Sequence, residues 1–192
     1  MSDFWLYFKL GLQHVLDWQA YDHVLFLIVL CASYTFASWK RLLILITLFT
    51  VGHTTSLLLG NYDIVSVSGA WIEFLIPVTI LVGAIYNIIT ARKGDVSEKR
   101  GLLYLVTIFF GLIHGFGFSS FFKAVNDESA LLPLLEFALG IELAQIIVAL
   151  IVLVVAHLTQ SLIRFNKRDW ILIISAVVIG MVIPMLIENW IF

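Results

Sequence analysis

Six long apolar runs, separated by short clusters of polar and charged residues, organise the chain of 192 residues. A helix needs about 20 mostly apolar residues to cross a hydrocarbon layer ~30 Å thick. Segments 21–38, 42–59, 71–90, 101–122, 132–158 and 170–190 approach or exceed that length. The pattern predicts an all-α polytopic bundle of six transmembrane helices, with residues 1–192 forming a single membrane domain. The fifth run is long enough to tilt or to project beyond the lipid. Pro77, Pro133 and Pro184 fall in or near the runs, where neighbouring groups can re-satisfy the backbone that proline frees. Residues 1–10, with Trp5 and Tyr7, read as a short amphipathic or interfacial segment. Asp3, the absence of a basic start and the absence of a small-residue cleavage site argue against a secretory leader.

Composition supports a lipid environment. Hydrophobic residues make up 61% of the chain, charged residues 12%, and the mean hydropathy is +1.05. A soluble domain carries about 25% charged residues, so this chain cannot cover an aqueous surface. A net charge of -2 gives no footprint for nucleic acid. The single cysteine, Cys31, lies in an apolar run and reads as a small buried hydrophobe.

Charge placement predicts the orientation. Lys40 and Arg41 follow the first run, Arg92, Lys93, Lys99 and Arg100 the third, and Arg164, Lys167 and Arg168 the fifth. These are nine of the eleven basic residues. Lys9, and Lys123 beside Asp127 and Glu128, are the other two. Basic connections stay on the cytoplasmic side, so both termini are expected outside.

Ionisable residues inside spans are costly and mark function by default. Here they converge in depth. Asp22 and His23 open the first run at its outer end, and Glu73 opens the third. His53, His114 and Glu142 lie in the outer halves of the second, fourth and fifth. At ~1.5 Å per residue, His53 stands ~18 Å above Arg41, His114 ~21 Å above Arg100 and Glu142 ~22 Å above His157. His14, with Asp17 three residues on, precedes the first run and can close such a site from above. Thr47, Thr50, His53 and Thr54 form one polar stripe. Gly111 and Gly115, with Gly117 beyond, permit close helix approach near His114, and Gly140 does so beside Glu142. Glu142 and Gln145 share a face.

Imidazoles with carboxylates suit a divalent transition metal such as Ni, Co or Zn. His14, Asp22, His23, His53, His114 and Glu142 are the candidate ligands. Because Asp22 and His23 are adjacent, one is expected to bind and the other to orient a ligand. His157, at the inner end, reads as interfacial, and Glu188 as solvated.

The same residues carry a family resemblance. Tyr21-Asp22-His23-Val-Leu-Phe, Phe49-Thr-Val-Gly-His53-Thr-Thr-Ser, Trp71-Ile-Glu73-Phe-Leu-Ile-Pro, Gly111-Leu-Ile-His114-Gly-Phe-Gly-Phe-Ser and Gly140-Ile-Glu142-Leu-Ala-Gln145 resemble, in order, the motifs of HupE/UreJ proteins. The resemblance implies a multi-pass protein of the bacterial cytoplasmic membrane, linked to hydrogenase and urease gene clusters and to nickel or cobalt permeation. It carries over His14, Asp22, His23, His53, Glu73, His114 and Glu142 as motif residues. Val15 stands where the hydrogenase-associated branch has proline, so the chain is closer to the second branch.

The expected function is metal permeation or metal handling through an outer-leaflet His/Glu site, and the expected partners are lipid, the ion and, in a homo-oligomer, a second copy of the chain. The alternative is a membrane-embedded metallohydrolase or transferase acting on a lipid, lipoprotein or peptide. There a metal-bound water would attack and Glu73 or Glu142 would serve as catalytic base.

Overall fold

The computed structural model describes residues 4–18, 21–93, 100–125 and 131–191. Lys99, Asp127 and Glu128, used in the orientation argument, and Asp3, used in the leader argument, lie outside the described residues. Among the described residues there are seven α-helices and no strand: α1 (Phe4–Leu16), α2 (Asp22–Cys31), α3 (Trp39–Asn61), α4 (Gly69–Lys93), α5 (Arg100–Val125), α6 (Leu131–Leu162) and α7 (Lys167–Glu188). Among the described residues, five helical stretches are long and apolar enough to cross a membrane: Phe36–Asn61, Gly69–Ala91, Gly101–Val125, Leu131–Leu162 and Lys167–Glu188. They correspond to the second to sixth predicted runs.

The first run behaves differently. Its helix, α2, has only 10 residues, about 15 Å of rise. The chain then turns through Ala32 to Thr35 and continues as a 3-10 turn, Phe36–Ser38, closed by reciprocal Thr35 and Ser38 capping. Irregular backbone at membrane depth is tolerated where protein buries it. That condition holds, since Ala32 and Tyr34 are buried. Asn87 of α4 donates to the Val29 carbonyl at 2.8 Å, and Ser33 donates to Asn87 at 3.2 Å. The Val29 carbonyl, held at the helix end by only a long 3.4 Å bond from the Ala32 N–H, thereby gains a second donor.

The N-terminal segment is also more than an interfacial strip. Tyr7, Gly11 and Val15 form the buried face of α1, at i, i+4, i+8 spacing, while Trp5 and Leu6 stay exposed. That face packs on α6. A Cβ on Gly11 would collide with the Phe137 carbonyl, and one on Gly140 with the Phe8 carbonyl.

Glycine sets a second close contact, between α3 and α5. Gly111 faces the backbone of Phe49 and His53, Gly115 faces His53 and Ser56, and Gly52 faces Ile108 and Leu112. The offset between partners is nearly constant, so the two helices run parallel, as alternate spans must. Gly117 instead faces the Ile72 and Ile76 side chains of α4. Helix α7 packs along α4 and completes the bundle.

Candidate metal centre

Helices α1, α2, α3 and α5 each deliver one imidazole to a single internal layer. The α1–α6 contact at Gly11 brings His14 inward. The α3–α5 contact carries His53 and His114, which adjoin the contact glycines Gly52 and Gly115 in the chain. Ring centres lie 4.6 Å apart for His14 and His23, 5.5 Å for His14 and His53, 5.5 Å for His23 and His53, and 5.1 Å for His23 and His114. His23, His53 and His114 are at most 3% exposed.

Two sets of donor atoms converge. One is His14, His23 and His53; the other is Asp22, His23 and His114. Within each, one ligand atom per residue lies within 4.8 Å of the others. His23 belongs to both.

The hydrogen bonds determine which nitrogens remain available. Asp22 Oδ1 stands 2.9 Å from His23 Nδ1 and accepts from the His23 backbone N–H at 2.7 Å. A carboxylate only accepts, so Nδ1 carries the proton and Nε2 keeps its lone pair. That Nε2 has no hydrogen-bond partner among the described residues. Asp22 also sits in the first turn of α2, where the helix dipole favours negative charge. The Thr79 hydroxyl donates to the Ile76 carbonyl at 2.7 Å, so it accepts from His114 Nε2 at 3.2 Å. His114 Nδ1 then holds the lone pair, and it too lacks a partner. Neither nitrogen of His53 has one, nor does His14 Nε2.

Buried polar atoms without partners are costly, about 1–3 kcal/mol each. Here they accumulate on imidazoles that face each other, and the donor set is the one a divalent transition ion accepts. Aromatic rings enclose the layer. Phe118 lies 4.0 Å from His14 and Phe49 5.2 Å from His114, centre to centre.

The remaining expected residues lie elsewhere. Glu142 is not among the converging donors. Its carboxylate accepts from Thr47 at 2.6 Å and from Thr50, whose hydroxyl also lies 3.0 Å from Gln145 Oε1. This polar contact joins α3 to α6 one turn from His53. Glu73, His157 and Glu188 are exposed, and His157 lies against the Phe36 ring. Glu136, a carboxylate not singled out from the sequence, is 8% exposed. Glu73→Gln is therefore expected to leave metal content unchanged and stability within about 0.5 kcal/mol. Elemental analysis and thermal unfolding of the purified variant check this.

The family model described as HupE / UreJ protein matches residues 1–190. The chain belongs to the HupE/UreJ family. The match takes in α1 and the break after α2 along with the five long helices, so both departures from a plain six-helix bundle fall within the HupE/UreJ region. No curated protein and no solved structure matches the chain. Membership, together with the five long apolar helices, makes it a multi-pass membrane protein.

Proposed function

We propose that this HupE/UreJ protein carries a divalent transition metal ion, of nickel or cobalt type, across the bacterial cytoplasmic membrane. The carrying observation is the group of facing imidazole nitrogens without hydrogen-bond partners. His14, His23 and His53 receive the ion as it enters. His23 and His114, with Asp22, hold it on the side toward α4. Asp22 also lowers the cost of bringing positive charge into this layer.

The same reading has six passes with both termini outside. The first pass consists of α2 and the irregular segment Ala32–Thr35, and the 3-10 turn begins the second. Its support is the burial of that irregular segment against Asn87 and the parallel course of α3 and α5. The two glutamates expected to act as base in a hydrolase stand apart from the converging donors, Glu73 exposed and Glu142 bound to hydroxyls. That favours an ion as cargo over a metal-activated water.

Elemental mass spectrometry of the purified protein, after incubation with Ni2+ and desalting, tests the reading. About one equivalent of metal is expected, and none in the double variant His53→Ala, His114→Ala at matched fold. Metal retained by the double variant, or absent from both proteins, overturns the assignment.

A further inference from the structure

Below the imidazole layer, a half-open, mostly apolar cavity of about 400 Å3 lies between α2, α4 and α5, with Val82, Tyr86 and Leu102 at its outer edge. Each helix connects it to the metal centre through residues on one face. On α4 these are Thr79, Gly83 and Asn87; on α5, His114, Phe110 and Thr107. On α2 they are His23 and Phe26, with Ser33 just past the helix end. The uppermost groups belong to the centre, and the lowest, Asn87, Thr107 and Ser33, supply polar atoms to the cavity.

Between them is an aromatic layer. Phe26 and Phe110 meet edge to face at 6.0 Å, and both line the cavity. Phe26 lies 5.4 Å from the His114 ring and stacks on Phe49 at 4.6 Å. A single buried ring thus has the imidazoles on one side and the cavity on the other. Opposite it, Gly83 contributes no side chain.

We propose that this cavity is the inner half of the ion's route, and that Phe26 is the gate separating it from the imidazoles. The inference rests on the transport reading. Hydrophobic constrictions close a pore by excluding water, and Phe26 with Phe110 forms one directly beneath the ligands. Six waters around a divalent ion take roughly 180 Å3 at ~30 Å3 each, less than the cavity holds. The cavity also lies at the C-terminal end of α2, whose dipole is negative there. Interrupted helices in transporters present such ends to cations. Rotation of the Phe26 ring into the cavity would open the passage without moving a backbone.

Proteoliposomes with a nickel-quenched dye trapped inside test this, with Ni2+ as the only added metal. Phe26→Ala is expected to raise the initial quenching rate at least threefold. Gly83→Leu is expected to lower it at least tenfold, because its side chain fills the passage; its Cβ meets only Val29 Cγ1, at 3.0 Å. Both variants should keep the wild-type nickel equivalent. Independently, Thr107→Cys in a Cys31→Ala background should react with a charged methanethiosulfonate added on the side of the α4–α5 connection. Wild-type rates in both flux variants with nickel still bound, or reaction of the introduced thiol only with a lipid-soluble reagent, overturn the gate and leave the transport reading standing. Wild-type protein that binds nickel and passes none overturns the transport reading itself. If Phe26→Ala fails to fold, the thiol measurement, which keeps Phe26, decides.

Discussion

His23→Ala is expected to remove metal binding altogether. His23 is shared by the two groups of converging donors, so its loss leaves His14 with His53 on one side and Asp22 with His114 on the other, two ligands each. Asp22→Asn provides the graded comparison. It keeps the shape but loses the charge that fixes the proton on His23 Nδ1, and the amide can present its NH2 to that nitrogen instead. Removing an orienting partner of this kind costs about 10–100-fold in metal affinity. The expected order is wild type, then Asp22→Asn weakened by that factor, then His23→Ala without measurable binding. His157→Ala serves as the unchanged control, since His157 is exposed and outside both groups. Ni2+ titration calorimetry checks the series. Stoichiometric binding retained by His23→Ala would remove the histidine layer from the binding site.

The second large effect is structural. Gly111→Leu is expected to disrupt the α3–α5 pair, because even its Cβ would overlap the Phe49 carbonyl, a backbone atom that cannot turn aside. Overpacking a core costs about 1–3 kcal/mol, occasionally more, and a main-chain collision belongs at the upper end. For a chain of this size each kcal/mol lowers Tm by about 2–4 °C, so a drop on the order of 10 °C is expected in detergent. Metal binding should fall as well, since His53 and His114 are carried on the separated helices. Gly117→Ala is the contrast. There the added carbon meets the ends of the Ile76 and Ile72 side chains, which can shift, and Tm should change by only a few degrees. Thermal unfolding followed by size-exclusion fluorescence distinguishes the two. Equal Tm values would show that α3 and α5 do not depend on glycine contact.

The amino-acid sequence by itself determined the class of molecule and singled out several of the polar residues that converge inside it. Apolar runs of span length are visible without tertiary contacts, because lipid imposes the same requirement on every residue of a crossing helix. Five of the six runs are long helices at nearly the expected boundaries. Membrane burial also makes polar residues conspicuous, which is why His14, Asp22, His23, His53 and His114 could be selected before any fold was known. Helical rise alone then assigned His53 and His114 a common depth.

Rotation about each helix axis and the path of the chain between helices were decided only by tertiary packing. Glu142 has a suitable depth, yet its carboxylate meets Thr47 and Thr50 rather than the imidazoles, because depth says nothing about the direction a side chain faces. The same limit concealed which partner each glycine serves, since Gly140 accepts α1 and not one of the predicted spans. Helix α1 is too short to register as a span, and its place in the bundle depends on the Gly11 contact with α6. The end of α2 is equally non-local. Its apolar sequence continues past Cys31, but Asn87, 58 positions from Val29 in the chain, donates to the Val29 carbonyl at the break. Hydropathy measures the compatibility of a residue with lipid, whereas these features depend on which protein atoms replace lipid around it.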